Sequence, residues 1–183
     1  MARARSVAFF VTLASAAWAA ACGPSTPSTS SAAGGSGAAG PSACFDYAGF
    51  DATTPTVSFK TDVLPIFRQS CGLSTSCHGT LGSPGPYLGP KLSDPEPSAD
   101  DIDQIFAANV GVPASAEPGM SIVAPGEPRE SFMMHKLDGT LECEQLACAV
   151  DGSCGDSMPV GVALEQGRRD TIRRWIAQGA KND

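Results

Sequence analysis

Residues 23–43 contain only Gly, Pro, Ser, Thr and Ala, so they bring no apolar surface to a core. A stretch of this composition stays a flexible tether with a root-mean-square reach of about 25 Å. Residues 1–21 ahead of it are equally unable to contribute. Arg3 and Arg5 open the chain, and an uncharged apolar run extends from Val7 to Ala21. That is the layout of a secretory signal, and the run falls short of the roughly 20 residues a membrane span needs. Whatever fold this chain adopts must therefore be built from residues 44–183. These 140 residues suffice for one domain and are too few for two.

The signal ends Trp18-Ala-Ala-Ala-Cys22-Gly23, small residues before a cysteine. This resembles a lipobox, in which Cys22 is lipidated and becomes the mature N-terminus. Ala19 stands where most lipoboxes carry Leu. The alternative is simple cleavage after Ala21, which leaves a free N-terminal thiol, a liability in an oxidising compartment. The expected organisation is a signal peptide (1–21), a lipidated Cys22 with linker (22–43) and a globular domain (44–183). The expected location is outside the cytoplasm, in the periplasm or attached to an outer membrane.

Without Arg3 and Arg5 the chain carries ten Lys and Arg against 19 Asp and Glu, a formal charge of −9. Such a surface repels nucleic acid and anionic lipid and favours a basic patch on any partner. No basic run is longer than Arg173-Arg174, so nucleic acid is not an expected partner. The membrane contact expected is through the lipid anchor alone.

The folded part reads as mostly α. No alternating strand pattern exceeds Thr56-Val-Ser-Phe59, and Gly and Pro are abundant between the periodic segments. A helix is predicted over 61–70, capped by Thr61, with Val63, Leu64 and Phe67 inward and Pro65 tolerated in the first turn. A second is predicted over 99–109 after Ser98, its positive end faced by Asp100, Asp101 and Asp103 and its inner face made by Ile102, Ile105 and Phe106. A third is predicted over 163–178, with Leu164, Ile172, Trp175 and Ile176 in a stripe and Gly179 as its stop. A short helix is expected near 130–136. So few helices joined by long Gly/Pro-rich loops give a thin core that needs a covalent staple.

Six cysteines follow Cys22: Cys44, Cys71, Cys77, Cys143, Cys148 and Cys154. An even number in an exported domain suggests disulfides. One pair sits directly after the first predicted helix, as Cys71-Gly-Leu-Ser-Thr-Ser-Cys77-His78-Gly79. Together with Ser58-Phe-Lys-Thr-Asp-Val-Leu-Pro-Ile-Phe67, Val123-Ala-Pro-Gly126, Ser131…Lys136-Leu137, Ser157-Met158-Pro159 and Ile172-Arg-Arg-Trp175-Ile-Ala-Gln-Gly179-Ala180, it resembles the class I, mono-haem cytochromes c, specifically a cytochrome-like domain family of environmental bacteria. These landmarks, in this order, span residues 58–180. The resemblance implies a small helical cytochrome c-like domain carrying covalent haem c. Cys71 and Cys77 would be thioether-bonded to the haem vinyl groups, His78 the proximal iron ligand and Met158 the distal one, a thioether that favours ferrous iron. Trp175 and Phe67 would pack the terminal helices together near the macrocycle.

The family's attachment site places two residues between its cysteines, and here there are five. Two readings follow. In one, the longer loop bulges outward and the protein is a membrane-tethered electron carrier, not an enzyme, exchanging electrons with a redox partner protein. In the other, Cys71 and Cys77 form a disulfide in a haem-less, disulfide-stapled lipoprotein of similar fold that acts as a binding or structural module. Cys44, Cys143, Cys148 and Cys154 remain as disulfide candidates under both, with three possible pairings. One role for them would be to pin the loop bearing Met158. Met120 is the rival distal ligand. Met133 and Met134 are expected in the core, and His135 is expected to face solvent. Zinc held by Cys71, Cys77 and His78 is disfavoured, because adjacent Cys and His fit a tetrahedron poorly. The chain shows no Ser-His-Asp set and no phosphate-cradling Gly loop.

Overall fold

The computed structural model describes residues 44–142, 146–148 and 152–183. The signal peptide, Cys22, the tether and Cys143 lie outside the described residues. Among the described residues the domain is helical, with four α-helices, no β-strand and three isolated bridges.

The first helical segment begins earlier than the sequence suggests. Phe59–Val63 form a π-helical turn that runs into helix α1, Leu64–Ser70. Its cap is Ser58, not Thr61. Ser58 Oγ accepts from the Thr61 amide at 3.4 Å, and the Ser58 amide donates to Asp62 Oδ2 at 2.8 Å. Ser58 and Thr61 are both good capping residues, and the acidic partner at Asp62 selects Ser58. Pro65 falls in the first turn of α1, where its missing N–H leaves no helical bond unmade.

Helix α2 spans Ala99–Asn109 as expected. The Ser98 hydroxyl accepts from the Asp101 amide, and the Asp101 carboxylate accepts from the Ser98 amide, a reciprocal capping box. Helix α3 covers Phe132–Asp138 and ends at Gly139, which takes a left-handed conformation (φ 66°). Helix α4 covers Gln166–Ala177. It starts three residues later than predicted. Leu164 is buried, as its place in the stripe required, but on the approach to the helix.

The main core forms where α1, α2 and α4 meet. Phe59, Phe67, Phe106 and Trp175 make a cluster of edge-on and tilted rings with centroids 4.7–6.3 Å apart, and Ile105, Ile172, Ile176 and Val63 close round it. Each ring pair adds roughly 0.5–1.5 kcal/mol beyond the area it buries. The expected packing of Phe67 on Trp175 is present, at 6.3 Å. A smaller cluster of Ala114, Phe132 and Cys154 lies to the side, with Met120, Leu146 and Cys148 against it.

Irregular chain is held by buried polar groups. Arg68, 3 % exposed, donates to the carbonyls of Pro90, Lys91, Asp94 and Pro95 and to the Glu96 carboxylate, which fixes the loop between α1 and α2. Gln178 accepts from the Val57 amide and donates to the carbonyls of Ala52 and Pro55, tying the segment before α1 to the end of α4. Asp138 at the end of α3 is 2 % exposed and faces Arg173 of α4, 1 % exposed, with Arg169 at its flank. Phe45 covers Arg173, the ring centroid 3.4 Å from the guanidinium carbon.

The expected staples are present in part. Cys148 and Cys154 form a disulfide, and Cys44 is disulfide-bonded.

Candidate functional site

A cavity of about 300 Å³ opens between the C-terminal end of α1, the loop after it, α3 and the segment ahead of α4. Its walls are almost entirely carbon, from Phe67, Leu88, Ile122, Phe132, Met133 and Leu137. Cys71, His78 and Met158 also lie on its surface. The fold thus brings three residues chosen from the sequence onto one apolar cavity. Cys77 stands outside the lining, partly exposed, and its Sγ accepts from Ser74 Oγ at 3.4 Å.

Cys71 is the residue at which α1 stops. Its amide donates to the Phe67 carbonyl at 2.8 Å, and its side chain is buried. Burial pushes the thiol pKa up to about 12, and the neighbouring Cys77 sulfur adds to the shift. The two sulfurs are not joined to each other.

The five residues between the cysteines fold into an outward turn. The amides of Cys77 and Gly79 both donate to the Ser74 carbonyl, and the His78 amide donates to the Cys71 carbonyl at 3.0 Å. Leu73, Thr75 and Ser76 are exposed, while the two ends of the excursion are cross-linked by that last bond. Close approach of the ends needs Gly79, since a Cβ there would lie 2.7 Å from the Gly72 carbonyl oxygen.

The His78 ring is fixed by a Pro86 carbonyl 2.9 Å from Nδ1. A carbonyl only accepts, so Nδ1 carries the proton, and in the neutral ring Nε2 keeps its lone pair. Burial lowers the imidazole pKa, partly opposed by the Pro86 hydrogen bond, and this favours the neutral ring. Gly85 lies over the ring. A Cβ there would sit 2.8 Å from Cε1, at a backbone φ of +79° that itself favours glycine. An imidazole hydrogen-bonded at Nδ1 and set on an apolar wall could serve as a metal ligand through Nε2.

Met158 also lines the cavity, and its amide donates to the Lys136 carbonyl at 2.8 Å. Met120 does not line the cavity and packs against the smaller cluster instead. Met133 and Met134 are buried as expected, and Met133 also forms cavity wall.

His135 corrects the sequence reading. It is 1 % exposed, with Nε2 donating to the Arg129 carbonyl at 2.9 Å and Nδ1 3.0 Å from the Thr140 hydroxyl. Helix α3 has five of its seven residues buried, so it offers almost no solvent face.

Two features escaped the sequence reading. Pro86 could have been suspected from the Pro84-Gly85-Pro86 turn signal soon after His78. Lys136 had no signal. Its stem lines the cavity, and Nζ donates to backbone carbonyls of Cys154 and Asp156. Glu117 is also notable, 4 % exposed with one carboxylate oxygen unpartnered. Its ligand atom and those of Cys148 and Cys154 lie within 4.8 Å of one another, but the two sulfurs are bonded together.

No family model, curated protein or solved structure matches this chain.

Proposed function

We propose that the protein is a c-type haem carrier that transfers single electrons outside the cytoplasm, held to a membrane by a lipid on Cys22 and the tether of residues 23–43. The observation that carries this reading is the cavity: Cys71 and His78, on one loop, and Met158, 80 residues further along the chain, line one apolar pocket. The chemistry of the lining suits the group: the cavity, at about 300 Å³, is at the small end of ligand sites, its walls are apolar, and its polar positions are the Cys71 thiol, the His78 imidazole, the Met158 thioether, Ser115 and Lys136, with Cys77 outside the lining.

A bound haem would supply a one-electron redox centre and nothing else to the chemistry. The chain supplies the rest. The Cys71 and Cys77 thiols would hold the group covalently, each by addition of S–H across a vinyl C=C, which needs no oxidant. The Pro86 carbonyl fixes the His78 ring through Nδ1, and Nε2 would be its donor to iron. Met158 offers a soft sulfur that favours the reduced metal and raises the potential. Phe67, Leu88, Phe132 and Leu137 keep water from the site. The acidic surface favours a partner with a basic docking face. In this reading the fold is a cytochrome c-like one with a lengthened attachment loop.

Expression with haem-attachment machinery should give a red product whose colour survives acid–acetone extraction, with the sharp bands of low-spin iron after reduction. Met158→Ala should keep the covalent haem, lower the potential and admit carbon monoxide, while Met120→Ala leaves all three unchanged. A colourless product whose peptide map shows Cys71 bonded to Cys77 would sink the electron-transfer reading and leave the haem-less module in its place.

A further inference from the structure

Met158 sits on a segment without helix or strand, and a ligand on irregular chain must be held by something else. Residues 154–157 have no regular secondary structure, and Gly155 among them takes a left-handed φ of 71°. Backbone groups of residues 154, 156 and 158 nevertheless all meet one residue of α3. Lys136 Nζ donates to the carbonyl oxygens of Cys154 and Asp156, the latter at 2.9 Å, and the Lys136 carbonyl accepts from the Met158 amide at 2.8 Å. The ammonium lies 5.3 Å from the centre of the Phe132 ring, a second anchor. Lys136 therefore ties three backbone groups of an irregular segment to α3.

We propose that Lys136 is the positioning residue for Met158: by clamping residues 154–158 to α3 it holds the Met158 side chain at the cavity wall. The ligand role of Met158 rests on the haem reading above, but the clamp itself does not. Lys136 touches no reacting atom and acts through the segment it fixes. The upstream end is secured separately, by the Cys148–Cys154 disulfide and the burial of Cys154. Removing the ammonium should therefore free the part nearest Met158 first.

The test compares full-length protein with Lys136→Met, which keeps an apolar stem against Phe132 and loses the donors, and with Lys136→Arg, which keeps a cation of similar reach. Without haem, hydrogen–deuterium exchange of the peptide covering residues 154–160 should quicken about tenfold or more in Lys136→Met, the change expected for loss of one charge-assisted hydrogen bond. Exchange across α2 should not move, and Lys136→Arg should restore protection. With haem attached, Lys136→Met should lose the spectral signature of sulfur-ligated iron and bind carbon monoxide as Met158→Ala does. Unchanged exchange in Lys136→Met overturns the proposal. An equal rise across α2 also overturns it, because Lys136 would then be a general stabiliser. If no haem attaches to the wild-type chain, the functional reading fails and the exchange measurement still decides the clamp.

Discussion

Asp138→Asn isolates the interaction that fixes α3, and with it one wall of the cavity, to α4. Both oxygens of the Asp138 carboxylate accept from Arg173 Nη2, at 2.5 and 2.7 Å, and Oδ1 also accepts from Arg169 Nη1 at 3.1 Å. Asp138 and Arg173 are 2 % and 1 % exposed, so water cannot replace a lost partner. The substitution keeps the shape and removes the charge, leaving Arg173 buried against Asp170, which is itself 24 % exposed, and beneath the Phe45 ring. Leaving one partner of a buried pair uncompensated costs about 3–5 kcal/mol, and the remaining Asp170 contact places the expectation near 3. At about 3 °C per kcal/mol for a domain of this size, the midpoint of thermal unfolding should fall by about 10 °C. Urea unfolding with the disulfides intact should show a lower midpoint at unchanged slope. Replacing both partners, as Asp138→Leu with Arg173→Met, should recover much of the loss, because a matched apolar pair leaves no charge stranded. A loss below about 1 kcal/mol in Asp138→Asn would refute the reasoning, since that is the value of a surface pair.

In the chain without haem, the lowered His78 pKa makes stability depend on pH. The unfolded chain binds a proton at this residue near pH 6.5, and the folded chain binds it only at lower pH, so stability should fall as pH drops below about 6.5, by at most about 1.4 kcal/mol per pH unit. Urea titrations of wild type and His78→Gln between pH 5 and about 7 should show a shallower slope in the variant; parallel slopes would count against a neutral buried ring. Replacing Cys148 and Cys154 together by Ser should cost about 2 kcal/mol, the loop entropy expected for a sequence separation of six, and non-reduced peptide mapping of wild type should find the pair linked.

Local signals were legible where side chains carry them. Ser98 with Asp101 announces α2 because a capping box is made of side chains three positions apart, and the structure has it. The apolar spacing of Phe67, Ile105, Ile172 and Trp175 likewise names the core. Thr61 misled because Ser58 carries the same chemistry three residues earlier, and the choice between them depends on Asp62 and on Asp183 closing over the turn, where the Asp183 carboxylate accepts from the Phe59 amide at 2.9 Å. His135 misled because its neighbour Lys136 suggests a wet helix face, whereas both residues turn to loops that satisfy them. The cavity could be anticipated as a set of residues but not as a shape, since the loops that close it against α1 and α3 are set in part by backbone carbonyls meeting His78 and Lys136. Backbone acceptors leave no mark in a sequence.

The turn between Cys71 and His78 has a consequence for chemistry at the two sulfurs. In the unfolded chain, five residues keep the two cysteines apart, and a catalyst that inspects extended chain meets a gap of that length. The His78-to-Cys71 hydrogen bond that gathers the ends, and the Gly79 approach to Gly72 that allows it, exist only once this corner has folded. Any modification that engages both sulfurs in the geometry of this turn would act on the folded corner, where Cys71 is buried and Cys77 is half-exposed.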